Sequence, residues 1–256
     1  MKRIINRIDH ILFYGYFKKK YLQNLDVKVA RQFDNLFGHK LVTYYDKKYS
    51  DELSALCDLY GSDKGSTREI STSYSWPPHT YTDYYSRLFE PTRDKILKVF
   101  ECGIGTNDPN FLSSMGIYGK PGASLRVWRD YFPNAQIIGV DIDHDTLFEE
   151  DRINTFWIDQ LDAKSIINFW EKLNLSNFDV MIDDGLHTFD AGYSLFVNSI
   201  KYLAKNGIYI IEDVGLNDLI LYKEFFDENN YFVDYVNLVR PNSKLEDNSL
   251  IIIRKT

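Results

Sequence analysis

Two acidic pairs close short apolar runs in this chain: Asp183-Asp184 in FDVMIDDGLH and Glu212-Asp213 in GIYIIED. If those runs are neighbouring strands of one sheet, their ends lie about 5 Å apart. Four carboxylates that close repel one another unless a cation compensates them. Ligands that are all oxygen favour a hard ion such as Mg²⁺ or Mn²⁺ over zinc. His187 follows Asp184 by three residues, just past the hinge at Gly185. An imidazole there can act as a general base near neutral pH. Taken singly, an acid at a strand end is more often a helix cap, and a loop histidine is usually only hydrogen-bonded. The combination is more specific than its parts.

An earlier run ends Glu101-Cys102-Gly103-Ile104-Gly105. Glycine lets the backbone approach a ligand and take a positive φ, although a ligand-free turn explains this short motif equally well. Asp141 ends the next run, where a carboxylate can accept from both hydroxyls of a ribose. Asp159-Gln160 ends another, where an adenine amino group can be read. A dinucleotide enzyme also places an acid at the position of Asp141, but the third glycine of its G-x-G-x-x-G pattern is missing. Asp108 further brings negative charge where a pyrophosphate would sit. Glu101, an acid ahead of the glycines, suits a cofactor that carries an ammonium group and no phosphate, and S-adenosylmethionine is such a cofactor. Residues 107–123 read as a loop over it. Ser124 either caps the following helix or contacts the methionine portion.

These residues need a scaffold that brings strand ends together. The apolar runs 96–103, 136–142, 154–159, 178–184 and 207–213 are continuous rather than alternating, as in parallel strands buried on both faces. Helical stretches at 124–132, 163–173 and 191–205 separate several of them, the last capped at Asn206-Gly207. Strand alternating with helix predicts a doubly wound α/β fold with a mostly parallel, seven-stranded sheet. Residues 231–239 and 249–255, joined by a turn at Pro241-Asn242, predict an antiparallel hairpin at its end. In such sheets ligands bind outside the carboxyl ends of the strands.

The composition narrows the partners. A net charge of −7 argues against general nucleic-acid binding. The two cysteines, Cys57 and Cys102, form neither a disulfide framework nor a zinc pattern, which fits a reducing compartment. There is no apolar run of spanning length and no secretory signal, so the expected location is the cytoplasm. Residues 1–55 are basic and aromatic, with Ile4, Ile8, Ile11 and Leu12 at helical spacing. They predict a helical extension that packs on the main domain, 56–256, or on a second copy in a homo-oligomer. A membrane-surface helix is the weaker reading.

The segments ECGIGTNDPN, GASLRVWRDYFPNAQIIGVDID, EDRINTFWIDQLD, VMIDDGLHTF and GIYIIEDV resemble the metal-dependent sugar O-methyltransferases of macrolide biosynthesis. The resemblance runs from about 56 to 215 and includes LYGSDKGS and His79-x-Tyr81. It implies a Rossmann-like methyltransferase fold, with S-adenosylmethionine lined by the Glu101–Gly105 turn, Ser124, Asp141, Asp159 and Gln160. Asp184 would stand close to the reacting methyl. It further implies that Asp184, Glu212 and Asp213 hold Mg²⁺ and that His187 is the base. Leu186 departs from the serine many members carry. The expected acceptor is a hydroxyl of a sugar or sugar-nucleotide-like small molecule. A phosphate or phosphoramidate oxygen on a nucleotide-linked intermediate of capsular or other surface polysaccharide is one rival. A nicotinamide-dependent oxidoreductase is another, and a non-catalytic binding module a third.

Overall fold

The computed structural model describes residues 51–67, 76–229, 231–238 and 247–254. Residues 1–50 of the expected helical extension, any oligomer contact through it and the Pro241-Asn242 turn lie outside these. Helix α1 (Glu52–Tyr60) starts where Asp51 accepts from the Ser54 amide at 2.7 Å, and it ends at Gly61 in the left-handed region. It crosses residue 55, and Leu53 and Cys57 on either side share one core. Helix α2 (Tyr81–Phe89) buries Tyr81, Tyr85 and Phe89, spaced i, i+4, i+8 on one face.

The sheet follows: β1 (Lys98–Cys102), β2 (Gln136–Asp141), β3 (Glu149–Glu150), β4 (Ile153–Trp157), β5 (Phe178–Asp183), β6 (Leu203–Ile211), β7 (Phe232–Asn237) and β8 (Ser249–Arg254). Helices α3 (Ala123–Tyr131), α4 (Ala163–Leu173), α5 (Phe189–Ser199) and α6 (Leu216–Glu228) connect them. The spatial order is β3-β4-β2-β1-β5-β6-β8-β7. Strands β4, β2, β1, β5 and β6 are parallel, and β8 is antiparallel to both β6 and β7. The doubly wound fold and its terminal hairpin therefore hold. The eighth strand is a two-residue edge piece, β3, too short to leave a periodic signature.

One element differs from expectation. The helix predicted to run to residue 205 stops at Ser199, and Leu203–Asn206 already belong to β6. Gly207 is not a helix cap. It lies in the strand opposite an irregularity in the β5 pairing, where a Cβ would stand 2.8 Å from the Phe178 carbonyl oxygen. A glycine inside a strand at such a point permits close backbone approach. No helix among the described residues is long and apolar enough to cross a membrane.

Candidate active site

Strand register decides which residues meet. Cys102 pairs with Asp183, and Asp183 with Ile211, so Gly103, Asp184 and Glu212 leave the sheet side by side. The ladder continues one step beyond the strands: the Asp184 amide donates to the Cys102 carbonyl (2.9 Å) and the Glu212 amide to that of Asp183 (3.0 Å). Gly103 has φ +87°, and a Cβ on it would lie 2.0 Å from the Asp184 carbonyl oxygen. Any side chain there would push the two loops apart.

Beyond this line the chain turns sharply. His187 and Asp213 both adopt left-handed backbone, φ 57° and 53°. Non-glycine residues in that region mark turns or strain and cluster at functional sites. Ligand atoms of Asp184, His187 and Asp213 lie within 4.8 Å of one another, so these three side chains can jointly reach one ion. His187 Nε2 is 3.9 Å from Asp213 Oδ2, with its side chain about 31% exposed at the mouth of the site. Desolvation works to lower the His187 pKa, but Asp213, Asp184 and Asp183 outweigh it and raise it above the ordinary value. For Asp213 the opposing order holds: burial raises its pKa, yet the neighbouring His79 and His187 and the Tyr81 hydroxyl bring it below the usual carboxylate range.

Glu212, expected beside Asp213 as a third metal acid, is engaged from behind. It accepts from Lys64 Nζ (2.5 Å) and from the Tyr85 hydroxyl (2.6 Å). Lys64 also donates to Asp184 Oδ2 (2.6 Å) and lies 3.2 Å from Glu101 Oε1. It is 1% exposed. A buried ammonium of this kind is tolerable only with such partners.

Of the cofactor candidates, Glu101 is wholly buried. Its Oε2 accepts from Ser124 Oγ (2.9 Å) and Trp128 Nε1 (3.0 Å), while Oε1 has the ion pair with Lys64 but no hydrogen bond. Burial pushes its carboxyl up to about 7. Ser124 is thus not the cap of α3, a position held by Gly122. Asp141 accepts from the Ile104 amide (2.8 Å) and the Asp143 amide (2.9 Å), tying the glycine turn, with Gly105, to the end of β2. Asp159 accepts from the Leu161 amide (2.9 Å) and stands partly open. Gln160 is turned inward: it donates to Asp183 Oδ1 (2.7 Å) and accepts from the Leu186 amide (3.0 Å), which fixes the turn carrying His187.

The chemistry-bearing residues that sequence reasoning left unassigned are Lys64, Tyr81 and Tyr85. Tyr81 lies with its hydroxyl 2.5 Å from Asp213 Oδ1, and its ring stacks on His79 at 4.7 Å. His79 Nε2 is itself 3.5 Å from Asp213 Oδ2. The tyrosines had a helical spacing that signals only a buried face, and Lys64 had no signal beyond its place in the resembling stretch LYGSDKGS.

No family model matches the chain. It is 28% identical over 190 residues to the 8-demethyl-8-alpha-L-rhamnosyl tetracenomycin-C 2'-O-methyltransferase of Streptomyces olivaceus, covering 74% of this chain and 45% of that protein. It is 32% identical over 161 residues to the mycinamicin VI 2''-O-methyltransferase of Micromonospora griseorubida, covering 60% and 37%. Both of these relatives are sugar O-methyltransferases. The chain spans less than half the length of each of these two. By their names they act on a rhamnosyl tetracenomycin C and on mycinamicin VI. The fold is also that of the MycE methyltransferase of mycinamycin biosynthesis, solved with Mg and SAH, at a TM-score of 0.58 and 24% identity over 81% of this chain and 55% of that one.

Proposed function

We propose that the chain is an S-adenosylmethionine-dependent O-methyltransferase for a hydroxyl of a sugar or sugar-nucleotide-like small molecule, working with Mg²⁺ or Mn²⁺. The observation that carries this reading is the side-by-side exit of two unlike sites from adjacent strands. One is a buried carboxylate, Glu101, whose Oε1 already faces an ammonium, that of Lys64 at 3.2 Å, and so suits a cationic group of a ligand. The other is the group of Asp184, His187 and Asp213 at ligand distance from one another. The named activities of the relatives, and the Mg and SAH bound in the MycE structure, support it.

When bound, the sulfonium cofactor supplies an activated methyl group and the divalent ion a Lewis acid for an acceptor oxygen. The chain's own residues have separable tasks. Glu101 receives the ammonium, the turn at Gly103 and Gly105 gives backbone access, and Asp141 and Asp159 face the nucleoside part. Asp184 and Asp213 offer oxygens to the ion, with Glu212 beside them as a third acid that keeps lone pairs unused by Lys64 and Tyr85. Gln160 serves the cofactor through the Asp183–His187 turn that it fixes. His187 takes the hydroxyl proton at its ring nitrogen, and Tyr81 and His79 keep Asp213 in its turn.

Calorimetry tests the reading: S-adenosylhomocysteine is expected to bind and NAD is not. Tight NAD binding without any response to the adenosyl compound would replace this proposal with the oxidoreductase. One observation favours a second role for His187, because its ring lies within ligand distance of both acids. A base predicts that His187→Ala keeps Mn²⁺ affinity; a ligand predicts that it loses it.

A further inference from the structure

Lys64 has no place in the chemistry just described, yet it is among the largest fully buried side chains of the described residues. Its ammonium touches Glu101 on the cofactor side and Asp184 and Glu212 on the cation side, at 3.2, 2.6 and 2.5 Å. Its backbone is fixed as firmly. The Lys64 carbonyl accepts from the Thr82 amide (3.1 Å), and the Asp63 carbonyl accepts from the His79 amide (2.8 Å). At Gly65 a Cβ would collide with the Thr82 side chain at 2.0 Å. The loop that carries Lys64 is thus seated against the start of α2.

Charge explains why a lysine is built in here. Glu101, Asp184, Glu212 and Asp213 bring four carboxylates to one end of the sheet, and with all four ionised the Lys64 ammonium leaves three negative charges over. A divalent ion and a cofactor carrying a sulfonium, an ammonium and a carboxylate cancel that remainder. Without Lys64 the unloaded site would hold unpaired acids at close range, and the loaded site would keep one surplus negative charge.

We infer that Lys64 is a positioning residue that acts as the resident counter-cation of the site, holding the cofactor acid and the cation acids together before either ligand arrives and keeping divalent-ion affinity low enough for exchange. The inference rests on the proposed function for the identity of the two ligands, but not for the pairing itself. A lysine that merely fills space makes a different prediction, since its loss would weaken every ligand together.

The test uses the full chain, with Mn²⁺ titrated by calorimetry and thermal unfolding followed with and without it. Lys64→Met is expected to melt lower in the absence of metal, to bind Mn²⁺ at least tenfold more tightly than the parent, and to regain its melting temperature when Mn²⁺ is added. Lys64→Met/Glu101→Gln removes one charge of each sign; it should melt near the parent and return Mn²⁺ affinity toward it. Unchanged or weaker Mn²⁺ binding by Lys64→Met overturns the counter-cation, as does a double variant no more stable than the single. If Lys64→Met does not fold alone, failure of both Mn²⁺ and the second substitution to rescue it has the same meaning. A parent that binds no Mn²⁺ would instead sink the metal part of the proposed function, and the melting comparison would still decide the role of Lys64.

Discussion

The acids of the site hang from strand ends, whereas the groups that restrain them come from the loop at 61–67 and from α2. Asp184 and Glu212 take their level from the β1–β5–β6 register and cannot slip without breaking the ladder. Lys64, His79, Tyr81 and Tyr85 reach the same place through packing and a few backbone bonds between loop and helix. The strand-end half supplies charge at fixed points, and the upstream half supplies the donors that make this charge tolerable in a buried place. Damage to the first half should therefore appear in turnover, and damage to the second in stability and ligand affinity.

The largest expected effect lies in the first half. His187 stands at the mouth with about 31% of its side chain exposed, so His187→Ala should lower turnover by about 10²–10⁴-fold, the usual share of a positioned base. Melting should change little. Single-turnover methyl transfer and thermal unfolding on the same variant check this. A normal rate in a destabilised protein would move the base elsewhere, with His79 the next residue to examine.

Where the two halves touch, pH separates them. Burial lifts the Glu101 carboxyl from 4.5 to about 7, and Lys64 opposes that rise. The folded chain therefore keeps a proton on Glu101 that the unfolded chain has lost between these values. Stability contributed by this group falls as pH climbs from about 4.5 to about 7 and is level above. At about 1.4 kcal/mol per unit the loss is roughly 3 kcal/mol. Thermal unfolding from pH 5 to 8 should show this decline in the parent and a shallower one in Glu101→Gln, where only groups such as Asp183, pushed up to about 6 by burial, still contribute. An equal slope in both proteins would take Glu101 out of the account.

A smaller effect belongs wholly to the upstream half. Tyr85→Phe removes the donor to Glu212 Oε1 but leaves Lys64 on Oε2. A hydrogen bond to a charged group contributes about 1.5–3 kcal/mol, and the buried oxygen left behind keeps its desolvation cost. A loss of about 2 kcal/mol by chemical denaturation, with the His187-dependent step unaffected, is expected. If turnover fell and stability did not, the division between the halves would be wrong.

The same division explains what could be read in advance. Continuous apolar runs ending in acids announce parallel strands with their chemistry at one end, because chain direction puts every carboxyl end on one side. Glu101, Asp141, Asp184, His187, Glu212 and Asp213 were visible for that reason. Gln160 was visible as a strand-end residue, but the direction of its side chain was not. It depends on Gly185, where a Cβ would lie 2.2 Å from the Gln160 side-chain oxygen. Lys64 lies 120 residues from Asp184 and 148 from Glu212, and no local period encodes pairings of that span. The start of β6 was misread because AGYSLFVNSIKYLAK keeps helical spacing past Ser199, while pairing with β5 claims Leu203 for the sheet.

The smallest expected effect decides what Ser124 does. Gly122 holds the cap of α3, and the Ser124 hydroxyl donates to Glu101 Oε2 at 2.9 Å beside Trp128, so the question is whether that bond acts on the charged carboxylate. Because Trp128 still serves that oxygen, Ser124→Ala should cost only about 1 kcal/mol, below the range for a lone bond to a charge. The two cases differ in pH response. A serine that acts only on groups that do not titrate costs the same on removal at pH 5.5 and pH 8. A serine that stabilises the ionised carboxylate loses more at pH 8, where Glu101 is charged, than at pH 5.5, where it holds a proton. Its removal should also shift the Glu101 inflection upward. Unfolding free energies for parent and variant at the two pH values give the answer, and a pH-independent difference would detach Ser124 from the charge on Glu101.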